Sequence, residues 1–283
     1  MSPPYWPRLN RFLEGLRGPR PPVTMWMTLE SVVVVEMAAS YGIDAMFIDL
    51  EHTAASLEDV RAMIIAAQGA GVTALVRPSS IDPHDVGRIL DAGAEGIVFA
   101  QVSTPEEAET AYRSLRYPPE GTRGWAGMHA RHVRWNQTPP GPGEFPLASA
   151  EFASAVNAQV ASIFMIESQA GLDALDEILD IGRPDGVVFG WADFSVSIGF
   201  DKAGIEAARK RIYDACRSRG IGMAITVSPR DPMEYYPGCF LGAGTDASLA
   251  SEALRLRLLE AAAVSAELVG PADSAPGATE RSS

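Results

Sequence analysis

The stretch AMFIDLEHTAASLEDVRAMIIAAQGAGVTALVR, residues 45–77, holds two short apolar runs separated by a polar turn and an amphipathic segment. AMFID (45–49) and TALVR (73–77) read as strands, and SLEDVRAMIIAAQGAG between them reads as a helix with Ser56 as N-cap and Gly71 as its stop. Neither strand alternates cleanly between apolar and polar residues. That pattern predicts burial on both faces, as in a parallel sheet covered by helices.

The same unit recurs along the chain. VTMWM (23–27), GIVFA (96–100), ASIFMI (161–166), GVVFG (186–190), GMAIT (222–226) and CFLGA (239–243) bring the candidate strands to eight. Helical patterns fill the intervals, with Asp82 and Thr104 as further N-caps and Gly93 as a stop. Eight such strands within a chain of 283 residues predict an α/β fold of the closed (β/α)₈ barrel type in a single domain. The expected domain covers 1–265 with a short N-terminal extension, and 266–283 is a small, polar, disordered tail. Residues 116–147, rich in Pro, Gly and Arg, break the rhythm as a long loop.

The net charge of −13 argues against a nucleic-acid partner, which needs a basic face, and favours a cation instead. No apolar run is long enough to span a bilayer and the start lacks a signal-peptide pattern, so a cytoplasmic location without membrane partners is expected. Cys216 and Cys239 are too few for a disulfide framework and read as buried thiols.

In such a barrel the chemistry sits just beyond the C-terminal strand ends. Those positions hold Asp49, Glu51 and His52 after strand two, then Arg77, Gln101, Glu167, and Trp191, Ala192 and Asp193, with Asp246 after strand eight. Glu167 and Asp193 could share a hard divalent cation such as Mg²⁺ or Mn²⁺, or each could cap a helix. Arg77 could hold a carboxylate or a developing oxyanion, or form a structural ion pair with Asp49, Glu51 or Glu167. His52 could be a base oriented by Asp49, or a hydrogen-bonded loop residue. LGAGTD is a weak phosphate-loop candidate and more often a turn.

Together FIDLEH, LVRP, ILDAGAEGI, RYPPEGTRG, MIESQAGLDALDEIL, DGVVFGWADFSVSIG and LGAGTD resemble the HpcH/HpaI family of metal-dependent class II pyruvate aldolases. The resemblance implies Glu167 and Asp193 as ligands of Mg²⁺, Mn²⁺ or Co²⁺, Arg77 at the enolate oxygen, and His52 as acid–base group supported by Asp49. Asp91 resembles a further acid of that network, and Gln101, Trp191, Ala192 and Asp193 would contact substrate. The implied reaction is a retro-aldol on a 2-oxo acid, releasing an aldehyde and pyruvate, or its reverse. A homo-oligomer, commonly a hexamer with exchanged C-terminal helices, is also implied.

Two positions depart from the family pattern, Trp191 and Ala100 standing where proline is usual. Arg123, Arg131 and His132 in the divergent loop are candidates to reach the aldehyde or a neighbouring subunit. Two other readings stay open: a citrate-lyase-β-like lyase of acyl-CoA, and a silent barrel that binds a 2-oxo acid or a partner protein.

Overall fold

A computed structural model describes residues 8–132, 149–226 and 235–269. Eight parallel strands close into a barrel in sequence order. They are β1 Val23–Met27, β2 Ala45–Asp49, β3 Thr73–Arg77, β4 Gly96–Phe99, β5 Ala161–Ile166, β6 Gly186–Phe189, β7 Gly222–Thr226 and β8 Phe240–Thr245. All eight expected strands form, within two residues at their ends. β2, β3 and β5 are buried along their whole length, which explains the missing alternation: one face meets the barrel interior and the other the helices.

The helices on the way to the active end are α1 Arg11–Arg17, α2 Val32–Ser40, α3 Leu57–Gly69, α4 Pro83–Ala92, α5 Pro105–Ser114, α6 Ala150–Asn157, α7 Gln169–Asp173, α8 Leu175–Gly182, α9 Trp191–Ser197 and α10 Lys202–Arg219. Ser56 and Thr104 form full capping boxes with Asp59 and Glu107, and Asp82 caps α4 ahead of Pro83. Each cap satisfies backbone amides that have no partner inside the helix, worth about 1 kcal/mol. α4 ends on Gly93 at φ +117°, a left-handed conformation that suits glycine.

Two apolar layers follow from strand parity. Phe47, Leu75, Val98, Ile163, Met165, Val188 and Phe240 fill the barrel, while Met46, Ile48, Val76, Ile97, Phe99 and Phe164 face the helices. α1 lays Phe12 across the N-terminal end of the barrel, its ring 5.1 Å from Phe240 and 6.1 Å from Phe47, both edge-on. The expected N-terminal extension therefore includes a helix that closes one end of the barrel.

The barrel unit runs to Asp246, and a second compact unit begins at Ala247. Helix α11, Asp246–Val269, continues past the expected boundary at residue 265. The proposed tail lies outside the described residues from 270 onward, as do 1–7 and the loop segment 133–148. LGAGTD is neither turn nor phosphate loop: Phe240–Thr245 is strand, pairing with both β1 and β7. Among the described residues no helix is long and apolar enough to cross a membrane.

Candidate active site

Strand parity sets the mouth. Phe47, Leu75, Met165 and Val188 point into the barrel, so the residues two further on, Asp49, Arg77, Glu167 and Gly190, point the same way at the C-terminal end. Asp49 and Arg77 stand opposite each other in the β2–β3 register.

Their side chains form a two-pronged ion pair. Arg77 donates from Nε to Asp49 Oδ1 at 2.8 Å and from Nη2 to Oδ2 at 2.6 Å. Its third nitrogen, Nη1, lies 3.0 Å from Glu51 Oε2, and the guanidinium carbon sits 4.6 Å above the Trp26 ring. The fork, a second acid and a stacked indole leave this cation little freedom to turn. Glu51 is delivered by its loop: the Leu50 amide extends the ladder to the Arg77 carbonyl at 2.9 Å, and the Glu51 amide donates to Asp49 Oδ1 at 2.9 Å.

Burial pushes the Asp49 carboxyl up, but the Arg77 hydrogen bonds and charge, with amides of Glu51 and His52, hold it below the usual carboxylate range. A lowered carboxyl pKa stabilises the fold above the ordinary aspartate value of about 3.9, and that contribution is lost as pH falls through the lowered value. Asp49→Asn keeps the shape and removes the charge, leaving Arg77 short of a buried counter-ion. Urea unfolding at neutral pH should show about 3 kcal/mol lost, and the gap between variant and parent should close in acid.

Glu167 follows β5, two strands round the barrel from Arg77 on β3. A β-carbon at position 190 would collide with its Oε2, so Gly190 gives the carboxylate its place. Its Oε1 accepts the Gln101 amide. Gln101 has φ +55°, a left-handed backbone that a side-chain-bearing residue rarely adopts, and this turns its N–H onto Glu167. Its side-chain Nε2 reaches Glu51 Oε1 at 3.3 Å. Burial pushes the Glu167 carboxyl up; the Gln101 amide and Arg77 oppose the rise, and the charges of Glu51 and Asp193 add to it.

Asp193 lies in the first turn of α9, exposed at the mouth, behind exposed Trp191 and Ala192. The charges of Glu51 and Asp193 thus act on Glu167 at this opening, and Glu51 Oε2 is buried with its ion pair to Arg77 but no hydrogen bond.

Two expected partnerships of His52, with Asp49 and with Asp91, are not brought together within the described residues. Asp49 does not orient the His52 imidazole, because strand parity spends its carboxylate on Arg77; it receives only the His52 backbone amide. The acid beside His52 is Glu51, with Oε2 3.7 Å from Nε2, and the histidine side chain is 60% exposed on the rim. Asp91 is not brought to this network within the chain. It sits at the far end of α4, beside the start of β4, and pairs with Arg123 at 3.0 Å.

Arg123, Arg131 and His132 cluster at that same end, away from the mouth. One residue and one pairing of the site went unread in sequence. Trp26 has the inward parity of Phe47, its register partner, which is the signal that would have found it; the pairing of Glu51 with His52 depends on loop geometry that spacing does not reveal.

The match to known proteins follows this geometry. A model of the HpcH/HpaI aldolase/citrate lyase family covers residues 23–236, spanning all the mouth residues above. The chain belongs to the HpcH/HpaI aldolase/citrate lyase family. It is 32% identical over 259 residues to a hydroxypyruvate/pyruvate aldolase of Deinococcus radiodurans, covering 88% of each chain. A 4-hydroxy-2-oxo-heptane-1,7-dioate aldolase of Shigella sonnei is also 32% identical over 259 residues, covering 88% of this chain and 94% of that one. Among solved structures, an HpcH/HpaI aldolase/citrate lyase family protein from Burkholderia cenocepacia J2315 superposes with a TM-score of 0.76 at 28% identity. That likeness covers 89% of this chain and 99% of the other.

HpcH/HpaI class II aldolases typically depend on a divalent metal. Among the described residues no group of three or more His, Cys, Asp or Glu side chains is arranged to hold one. The residues nevertheless fit a hard cation bound by two carboxylates and completed by water or substrate. Glu167 is crowded by the like charges of Glu51 and Asp193, which a cation would relieve.

Proposed function

We propose that the chain makes and breaks a carbon–carbon bond between an aldehyde and the enolate of pyruvate or a related 2-oxo acid, in a metal-dependent class II aldol reaction. The observation that carries the reading is the immobilised Arg77 sharing the mouth of a family barrel with buried Glu167.

Glu167 and Asp193 would hold the metal, which when bound supplies the Lewis acidity that polarises the 2-oxo carbonyl. Arg77 is held by Asp49, Glu51 and Trp26, so it can stabilise developing negative charge on the enolate oxygen without first reorganising. Gly190, the N-cap of α9, offers no side-chain cap, which supports the backbone around Ala192 and Asp193 as the seat of the substrate carboxylate.

His52, on the rim beside Glu51, is the group positioned to take the hydroxyl proton in cleavage and return it in synthesis. A groove of about 540 Å³ runs outward from Glu51 and Gln101 past Ser79 and Ser80, and supports these polar residues as the aldehyde's side of the site. The acyl-CoA reading finds less support: among its described residues this groove presents Glu51 and Glu107 and no cation for CoA phosphates.

The test is incubation with pyruvate and a panel of aldehydes, followed by mass spectrometry of the products. Aldol product should form with Mg²⁺, Mn²⁺ or Co²⁺ and vanish with a chelator, returning when metal is restored. No metal-dependent product with any aldehyde would refute the reading.

A further inference from the structure

A cavity of about 560 Å³ lies at the end of the barrel opposite the mouth, against Ala94 and Glu95 ahead of β4 and Val156 and Val160 ahead of β5. Three guanidiniums, those of Arg8, Arg123 and Arg131, line it together with a single carboxylate, Glu95. This local positive excess stands out in a chain whose net charge is −13. His132, also on the wall, does not add to it: burial, reinforced by the charge of Arg123, pushes its pKa down to about 3.

The hydrogen-bonding groups in this cavity are not all used. Arg123, with only 2% of its side chain exposed, spends Nη2 on Asp91 at 3.0 Å and stacks its guanidinium carbon 4.7 Å from the Tyr117 ring. Its Nε is buried with no acceptor. Arg8 Nη1 lies 3.6 Å from Glu95 Oε2 but has no hydrogen-bond partner, and Glu95 Oε1 has none either. Buried polar groups are nearly always satisfied, so two unspent guanidinium donors and an unspent carboxyl oxygen in one apolar-walled cavity point to a missing ligand. Burial pushes the Glu95 carboxyl up, which favours the protonated form that can itself donate.

We propose that this cavity is a second binding site, separate from the mouth, for a small organic carboxylate. The carboxylate takes the free N–H groups of Arg123 and Arg8, and the apolar body packs on Ala94, Val156 and Val160. Guanidinium donors select the charged head, and the apolar wall selects an organic acid over inorganic phosphate.

Fluorine NMR with fluorobenzoate as probe tests this on the full chain. Saturable binding is expected, with Arg123→Gln and Arg8→Gln each weakening it about tenfold or more through loss of a charged hydrogen bond. Half-exposed Arg8 tolerates the change, and Ala94→Leu, which narrows the cavity without touching a charge, should also block the probe. Arg77→Lys at the mouth should leave binding unchanged. Absence of saturable binding overturns the proposal. So does equal binding of neutral fluorobenzyl alcohol, tighter binding of inorganic phosphate than of the probe, or loss of the probe in Arg77→Lys.

Discussion

Glu167→Gln is expected to lower aldol turnover on the order of a thousandfold, because it exchanges a charged oxygen ligand for a neutral amide and forfeits several kcal/mol of charge stabilisation. The variant keeps the volume of the side chain and can still accept the Gln101 amide, so its fold should survive. The metal concentration needed for half-maximal rate should rise with the loss of rate. Unchanged turnover at saturating metal would remove Glu167 from the site.

The same residue is expected to set the acid limb of the pH profile. Its carboxyl lies above the ordinary glutamate range through burial first and through Glu51 and Asp193 in addition. Activity should therefore rise with pH as Glu167 loses its proton, and Glu51→Gln, which removes one like charge, should move that limb to lower pH.

Arg77→Lys is expected to cost about a hundredfold to a thousandfold in kcat, the size of effect seen when one preorganised donor is removed from a developing oxyanion. Lysine keeps the positive charge but cannot reproduce the fork onto Asp49 with a third nitrogen at Glu51. Deuterium exchange into the pyruvate methyl group, followed by NMR without any aldehyde, isolates enolate formation. Exchange and aldol turnover should fall together in this variant. If exchange stayed at the parental rate while turnover fell, Arg77 would act on the aldehyde instead.

The fold was legible because most strands carry the same message: apolar on both faces, as in β2, β3, β4 and β5, with capped helices between several of them and polar residues just past most ends. The inward set at the mouth was legible by counting two residues on from Phe47, Leu75 and Met165. What could not be read was which acid serves which partner. Asp49 and Glu51 are both near His52 in sequence, but only the register with Arg77 assigns Asp49 to the arginine and leaves Glu51 beside the histidine.

Asp91 shows a different limit. It lies in ILDAG, eight residues into α4, and a helix rising 1.5 Å per residue carries it about 12 Å from the end where α4 begins. A motif in one dimension does not say at which end of the barrel its residue arrives. The left-handed backbone of Gln101 was equally invisible, since nothing in GIVFAQV marks a positive φ.

The ring of Phe12 across the barrel floor, meeting Phe47 and Phe240, has a kinetic consequence. With that end stoppered and the interior filled, any reactant would have to enter and leave by the mouth. Arg77 and Glu167 lie deep, while His52 and Gln101 stand at the rim, so in the proposed reaction the 2-oxo acid would be seated before the aldehyde. On that reading an aldehyde arriving early would obstruct its own co-substrate, and turnover should show substrate inhibition by aldehyde.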